Sequence, residues 1–385
     1  MEEKYRVTER EAFIAFNRVQ GIGSVTAQQI IEALGSLAAV FEASEETLRG
    51  IPGIGTERAA LLTQDLKQVS AAEELERAAK TGVKVITWDD PAYPALLKEI
   101  ADPPLVLYVA GDVTALDTPS IAIVGTRHPT VYGRETARRF AYQLGVAGYT
   151  ITSGLAEGVD TEAHLGALKA KGKTVAVLGG ALDCLYPKSN TKLAREIATS
   201  GGAVVSEYAF GRQPDRQTFP MRNRIVSGLC RGVLVVEAPL NSGTLITAGQ
   251  GMDQNRSVMA IPGRIDSAAS QGCHKLLKEG ARLVTSPEEV IDEVQDLFIG
   301  KSARISTGLR QPMKKIEPRV EQKIVPVLTA EERAIMVIVE EGGTPIDVII
   351  RKTGQPAGQV NALLVSLQIK RVMKLMPGGI VMRAS

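Results

Sequence analysis

Glycine and small hydroxyl residues follow five short apolar runs of the sequence. The segments are Gly125-Thr126-Arg127, Ser153-Gly154, Gly179-Gly180, Asn241-Ser242-Gly243-Thr244 and Pro262-Gly263. Glycine lets backbone N–H groups approach an anion closely, and the dipole of a following helix adds a favourable field. The alternative is that these residues only form tight turns between a strand and a helix. Because five such segments would converge on one edge of a parallel sheet, we favour an anion-binding site.

Cations near these segments indicate that the anion carries phosphates. Arg127, Lys188, Arg222 and Arg224 are candidates, and arginine matches phosphate oxygens bidentately. The chain lacks a G-x-G-x-x-G motif after its first predicted parallel strand, so a series of phosphates fits better than one dinucleotide. For any single arginine the alternative is a solvated surface charge. One of Arg222 and Arg224 could instead pair with a carboxylate such as Glu237.

No combination of residues indicates hydrolysis or metal binding. His128, His164 and His274 lie far apart and have no ligand spacing. Asp160 is expected to cap a helix, and His164 would then face the sheet as a core histidine. We therefore predict neither a catalytic residue nor a metal site, and we do not expect an enzyme.

Composition restricts the partners and the compartment. The net charge is +2 and aromatic residues make up 4%, so stacking of bases along a track of rings is not expected. The three cysteines form no CxxC pair, which argues against a disulfide framework or zinc site and fits a reducing compartment. The N-terminus lacks an apolar signal segment, and the apolar runs are too short to span a membrane. We predict a cytoplasmic protein.

Alternation of short apolar runs with helical stretches predicts an α/β core with a Rossmann-like, mostly parallel sheet. The predicted strands are Ile121–Val124, Tyr149–Thr152, Thr174–Leu178, Ala203–Ser206, Gly232–Val236, Val258–Ile261 and Arg282–Val284. Ligands of such sheets bind at the carboxyl ends of the strands, near a switch point. The five segments would meet there.

The ends of the chain have other patterns. Before the core, helical periodicity is interrupted by two similar turns, Gly21-Ile22-Gly23 and Gly53-Ile54-Gly55. After it, Thr329 and Glu332 form a predicted capping box, and three helices precede a hairpin. The predicted domains are a helical helix-hairpin-helix/SAM-like domain (1–82), a Rossmann-like core (83–298), a basic linker (299–326) and a winged-helix domain (327–385). The two glycine turns either present backbone N–H groups to a phosphate or only join helices. The third helix of the winged-helix domain has no cation before Lys370, which favours a protein-binding or weak nucleic-acid-binding module.

Several motifs in one order resemble the DprA/Smf family over about residues 90–290. The motifs are Gly125-Thr126-Arg127, Ser153-Gly154-Leu155-Ala156-Glu157-Gly158-Val159-Asp160, Tyr186-Pro187, Phe219-Pro220-Met221-Arg222-Asn223-Arg224, Ser242-Gly243-Thr244-Leu245-Ile246-Thr247-Ala248 and Pro262-Gly263. The resemblance implies a protein that binds single-stranded DNA as a homodimer, protects incoming DNA and helps load the RecA recombinase during natural transformation. It implies no cofactor and no catalysis.

The resemblance also implies site residues. Arg127 resembles the phosphate-binding arginine and Lys188 the pocket lysine of the family. The predicted DNA-binding set is Gly125, Thr126, Arg127, Ser153, Gly154, Lys188, Arg222, Asn223, Arg224, Ser242, Gly243 and Thr244. The segment with Gly272, His274, Leu276 and Leu277 is similar to the one through which members self-associate. The family often has Asn at the position of His274 and Ser at the position of Thr126.

Two other functions compete with DNA binding. The fold also resembles lysine-decarboxylase-like phosphoribohydrolases, whose P-G-G-x-G-T-x-x-E motif supplies a glutamate for glycosidic cleavage. Gly243-Thr244 fits that motif, but Thr247 stands at the glutamate position and cannot act as a general acid or base. The second alternative is a sensor of small nucleotides with the winged helix as its output.

Overall fold

A computed structural model describes residues 7–295, apart from 20 and 67, and residues 329–383, apart from 340–342, 370–371 and 377–379. The chain divides into two units, Met1–Gly308 and Leu309–Ser385. The predicted linker over residues 299–326 lies outside the described residues. None of the described helices is long and apolar enough to cross a membrane.

The first unit begins with a bundle of short helices, as the periodicity predicts. They are α1 (Glu9–Phe16), α2 (Ser24–Leu34), α3 (Glu45–Arg49), α4 (Thr56–Asp65) and α5 (Ala71–Thr81). A capping box joins Thr8 and Glu11 at the start of α1. The hairpin Gly21–Gly23 precedes α2, and the hairpin Gly53–Gly55 precedes α4. This confirms the helix-hairpin-helix prediction.

A nine-stranded sheet follows, with helices on both faces. The strands are β1 (Lys84–Thr87), β2 (Val106–Gly111), β3 (Ser120–Val124), β4 (Thr150–Ser153), β5 (Thr174–Val177), β6 (Ala203–Ser206), β7 (Gly232–Val235), β8 (Ser257–Ala260) and β9 (Arg282–Leu283). The helices are α6 (Ala95–Lys98), α7 (Val131–Val146), α8 (Val159–Lys169), α9 (Thr191–Thr199), α10 (Thr218–Gly228), α11 (Thr244–Asp253), α12 (Gln271–Lys278) and α13 (287–295).

The strand order is β1-β2-β6-β5-β4-β3-β7-β8-β9. In this order, all neighbouring strands from β6 through β5, β4, β3, β7 and β8 to β9 pair in parallel. From β3 the chain first builds outward to β6 and then returns to the other side of β3 as β7. Such a reversal is the switch point at which open α/β sheets bind ligands. The mostly parallel Rossmann-like prediction is therefore confirmed.

The central strand β3 is buried on both faces, which explains why its sequence is a continuous apolar run. Ala122 and Val124 belong to the cluster on one face, and Ile121 and Ile123 belong to the cluster on the other. Period-2 alternation of side chains sends neighbouring residues to opposite faces.

Two antiparallel strands were not among those predicted. β1 pairs with β2, and β2 pairs with β6. They join the helical bundle to the sheet, because Val106 and Tyr108 of β2 share one apolar cluster with Phe13 and Phe16 of α1. The buried Glu74 of α5 accepts a hydrogen bond of 2.7 Å from the Phe210 N–H. The bundle and the sheet therefore share a core.

The second unit is a winged helix, as predicted. Its elements are α14 (Ala330–Ile338), β10 (Thr344–Pro345), α15 (Ile346–Thr353), α16 (Ala357–Ile369), β11 (Met373–Met376) and β12 (Ile380–Arg383). The capping box of Thr329 and Glu332 is present, and β11 pairs antiparallel with β12. The short strand β10 was not predicted. The turn of the predicted hairpin, at residues 377–379, lies outside the described residues.

Candidate functional site

A cavity of about 420 Å³ opens at the carboxyl ends of β3 and β4, next to β7. The structure thus brings together residues from loops that are more than 100 positions apart in the chain. The predicted residues that line it are Gly125, Thr126, Arg127, Gly154, Arg222, Asn223, Ser242, Gly243 and Thr244. Three of the five segments singled out in the sequence meet here.

The loop after β3 is fixed by its backbone. Thr126 N–H donates to the Glu237 carbonyl at 2.7 Å, and Val159 N–H donates to the Thr126 carbonyl at 3.2 Å. The Glu237 carboxylate accepts hydrogen bonds from Thr130 N–H and Oγ1 at 2.9 and 2.6 Å. Because Glu237 is occupied in this way, it does not pair with Arg222 or Arg224.

The loop after β4 is held by a buried carboxylate. Asp160 accepts hydrogen bonds from Gly154 N–H at 3.0 Å and Ala156 N–H at 3.3 Å. Burial raises the pKa of Asp160, although the charge of Arg222 opposes this. The prediction that Asp160 caps its helix is wrong, because Gly158 is the N-cap of α8 and Asp160 lies in the first turn. Ser153 also turns inward, since its Oγ donates to the Ile123 carbonyl at 2.7 Å.

Arg222 forms the floor of the cavity. Its Nη1 donates to the carbonyl oxygens of Gly154 and Val177. Burial lowers its pKa to about 10, opposed by the charge of Asp160. Arg222 therefore fixes the ends of two strands and adds positive charge from below.

Arg127 is the exposed cation of the cavity. It has no hydrogen bond or ion pair with any described residue, and its guanidinium carbon lies 5.5 Å from the centroid of the Phe219 ring. A cation over an aromatic face is attracted by the ring quadrupole. The ring therefore holds an otherwise unshared guanidinium at the rim of the cavity.

The loop after β7 ends at the start of α11, where the N–H groups of Leu245 and Ile246 already donate to the carbonyls of Ser242 and Gly243 at 3.1 Å. Gly243 is the N-cap of α11 and supplies no side-chain cap. Ser242 Oγ lies 2.9 Å from Thr244 Oγ1 and accepts a hydrogen bond of 3.2 Å from Thr244 N–H. The start of a helix carries a positive field, which favours an anion.

Arg224 lies away from this cavity. Its guanidinium makes two hydrogen bonds of 2.8 and 2.7 Å to the Glu207 carboxylate and a second ion pair, of 2.9 Å, with Asp102. Burial disfavours its charge, but Glu207 and Asp102 outweigh burial and raise its pKa. One of the two arginines is thus a structural ion pair, and its partner is Glu207 rather than Glu237.

Lys188 is exposed at the edge of the site. It follows Tyr186 and Pro187, which line a second cavity of about 30 Å³ together with Arg127 and Phe219. The lysine itself does not line either cavity.

His164 is a core residue, as expected. It is fully buried, and its Nδ1 lies 2.7 Å from Thr174 Oγ1. Burial, with a contribution from the charge of Arg222, lowers its pKa to about 3. Within the described ranges no group of three or more His, Cys, Asp or Glu side chains forms a metal site.

The residues proposed for self-association differ in exposure. Gly272 and Leu276 are buried against the sheet, whereas His274 and Leu277 are half-buried. His274 Nε2 lies 3.0 Å from the Gly263 carbonyl. Only His274 and Leu277 of this set therefore present side-chain surface to a partner.

Phe219, Asn241 and Thr247 line the cavity but were not in the predicted set. Phe219 lies three positions before Arg222, on the same side of α10, so helical spacing could have indicated it. Thr247 occupies the glutamate position of the phosphoribohydrolase motif, and its side chain is a buried hydroxyl.

Comparison with known proteins agrees with this architecture. The family model for DNA recombination-mediator protein A matches residues 84–295, a SAM-like helix-hairpin-helix tandem matches 13–68, and the DprA winged helix domain matches 321–379. Protein Smf of Synechocystis sp. is 33% identical over 395 residues, covering 96% of this chain and 98% of that protein.

Two solved structures are also similar. The DNA processing protein A (DprA) of Streptococcus pneumoniae has a TM-score of 0.62 and 35% identity, covering 75% of this chain and 99% of its own. That of Helicobacter pylori, described with a single-stranded DNA binding mode, has a TM-score of 0.50 and 32% identity, covering 55% of this chain and 96% of its own. With its core, its helical domain and its winged helix all matched, the chain belongs to the DNA recombination-mediator protein A family, known as DprA/Smf.

Proposed function

We propose that the chain binds single-stranded DNA through its phosphates in the cavity between β3, β4 and β7. The observation that carries this proposal is Arg127, an exposed guanidinium with no ion pair among the described residues, placed at the switch point of the sheet. The positive end of the α11 dipole at Gly243 and the buried charge of Arg222 complete a site that is complementary to an anion.

A single strand fits this site better than a duplex. The Phe219 ring lies beside Arg127 and provides an apolar surface for an unpaired base, which a duplex does not offer. The Helicobacter pylori relative, 32% identical, is described as binding single-stranded DNA. Both facts support the proposal for this chain.

Fluorescence anisotropy of a labelled oligonucleotide, measured across a salt series, tests the proposal. Arg127→Ala should weaken binding by about 10- to 100-fold, because a hydrogen bond to a charged group contributes about 1.5–3 kcal/mol. It should also reduce the salt slope by about 0.7, the value for one phosphate contact on a single strand. Lys188→Ala should also weaken binding and reduce the salt slope.

Arg77→Ala is the matched control. Arg77 is an exposed arginine of α5 that lines neither cavity, so its loss should leave affinity and salt slope unchanged. If Arg127→Ala and Arg77→Ala both bind like the parent at every salt concentration, the cavity is not the DNA site. Equal affinity for a duplex would refute the preference for single strands.

We further propose that the chain acts in the cytoplasm as a homodimer that protects incoming DNA and helps load RecA. Membership of the family supports this part of the proposal. RecA filament formation on an oligonucleotide should be faster with the parent than with Arg127→Ala. Equal rates with the two proteins would mean that loading does not depend on the cavity.

A further inference from the structure

His128 is a residue of the cavity to which the proposed function gives no role. It follows Arg127 in the loop after β3, lines the cavity and is exposed at its rim. A histidine at an anion site differs from an arginine, because the charge of an imidazole ordinarily changes between pH 5 and pH 8. Such a residue can make the binding of an anion depend on pH.

The loop holds the backbone of His128 in place from both sides. The His128 N–H donates to Thr126 Oγ1 at 3.2 Å, and the Thr126 N–H donates to the Glu237 carbonyl at 2.7 Å. Two positions after His128, Thr130 is the N-cap of α7 and its Oγ1 donates to the Glu237 carboxylate at 2.6 Å. A side chain on a fixed backbone has less freedom to lose when a ligand binds.

The imidazole of His128 is not shared with another part of the protein. Its ring nitrogens make no hydrogen bond or ion pair with any described residue. His164, by contrast, is fully buried and its Nδ1 lies 2.7 Å from Thr174 Oγ1. Of these two histidines, only His128 can therefore contact a ligand in the cavity.

The charged groups around His128 come from four elements. Arg127 precedes it in the same loop, Arg222 belongs to α10, and Asp160 belongs to α8. Asp160 is the one carboxylate among the residues that line this cavity, and it is buried and bonded to two backbone N–H groups. Glu237, after β7, is bonded to the start of α7. A protonated His128 would thus meet two cations and no available carboxylate.

A bound phosphate changes this balance. Without it, the charges of Arg127 and Arg222 and the positive end of the α7 dipole oppose protonation of the imidazole. A phosphate oxygen favours protonation, because an imidazolium donates a charge-assisted hydrogen bond that is stronger than one from the neutral ring. Binding of the phosphate and uptake of a proton must then favour each other to the same extent.

We propose that His128 is a further phosphate ligand that acts in its protonated form, so that DNA binding takes up a proton and strengthens as the pH falls from 8 to 6. Its partner is a phosphate of the same strand that Arg127 binds. The contribution is present at pH 6 and is lost as the pH rises, because the protonated form is then lost. This inference rests on the proposed function, since the strand must occupy the cavity.

The composition of the chain makes the proposal easy to test. The sequence contains three histidines, so few groups can change charge between pH 6 and pH 8. His164 is buried in the core, and His274 lies on α12, where its Nε2 is 3.0 Å from the Gly263 carbonyl. His274 does not line the cavity and is therefore the matched control for His128.

Fluorescence anisotropy of a labelled oligothymidine at pH 6 and pH 8, each across a salt series, tests the proposal. We expect the parent to bind about fivefold more tightly at pH 6, with a salt slope larger by up to about 0.7, the value for one phosphate contact on a single strand. His128→Gln cannot be protonated, so its affinity should be the same at both pH values. His128→Lys keeps its charge, so at pH 8 it should bind more tightly than the parent.

His274→Gln should retain the fivefold difference between the two pH values, and circular dichroism at both values checks that every variant remains folded. If Arg127→Ala weakens binding but the parent and His128→Gln depend on pH to the same extent, the role of His128 is wrong and the cavity stands. If Arg127→Ala and His128→Gln both bind like the parent at each pH, the proposed function and this inference are both wrong.

Discussion

Arg222 and Arg224 are two residues apart but have different surroundings. Arg222 lies under the cavity, whereas Arg224 lies on the other side of α10 and pairs with Glu207. Positions two apart on a helix do not share a face, so the sequence predicts that their roles differ. It does not tell which arginine is paired, because Glu207 lies in a loop that only the folded sheet brings near.

The Arg224 ion pair should matter for stability. Arg224→Met leaves Glu207, which is 13% exposed, without its cation, so we expect a loss of about 3 kcal/mol in the free energy of unfolding. Urea denaturation measures this loss. A double variant that adds Glu207→Leu removes the unpaired charge and should regain part of it. Equal losses in the single and double variants would contradict the pairing.

His164 predicts a pH dependence of stability. Its pKa is about 3 when folded, compared with about 6.5 when unfolded, so protons bind more tightly to the unfolded chain. Its contribution is therefore complete above about pH 6.5 and is lost as the pH falls towards 3. Between pH 7 and pH 5 this loss is about 2 kcal/mol.

His164→Gln cannot titrate, so its free energy of unfolding should fall by about 2 kcal/mol less than that of the parent over this range. Urea denaturation at both pH values measures the difference. An identical pH dependence in the two proteins would mean that His164 is not held neutral in the folded state.

At the scale of elements, two glycines of the cavity should respond differently to alanine. A Cβ at Gly154 would lie 2.5 Å from Arg222 Nη2, whereas a Cβ at Gly243 would meet no atom within 4 Å. Gly154→Ala should therefore lower the thermal unfolding temperature, and Gly243→Ala should not. If a phosphate approaches the start of α11, Gly243→Ala should still weaken DNA binding severalfold. Unchanged binding would place the phosphate elsewhere.

The parallel strands were predictable because burial on both faces leaves a continuous apolar run. The strands β1 and β2 were not predicted, because the local sequence does not show which strands they pair with. β2 pairs with β6, almost a hundred residues later in the chain. The same reason applies to the cavity. Its glycine loops were visible in the sequence, but which three of the five meet depends on the strand order, and local patterns do not give that order.

At the scale of the whole molecule, self-association is open to a direct test. Leu277→Glu adds a charge to the half-buried outer side of α12, where a partner would exclude water. We expect the parent to sediment as a dimer at about micromolar concentration and Leu277→Glu as a monomer. Val146→Glu, at an exposed apolar position of α7, is the control. A parent that sediments as a monomer would refute self-association through α12.

The shared core of the helical bundle and the sheet limits how this chain can be shortened. Val106 and Tyr108 of β2 belong to the same apolar cluster as Phe13 and Phe16 of α1. A chain that began at β1 would expose this face of an edge pair to water, and exposed apolar strands promote aggregation. The helical bundle therefore shields this apolar face from water. A shortened protein would need polar substitutions on β1 and β2 to avoid aggregation.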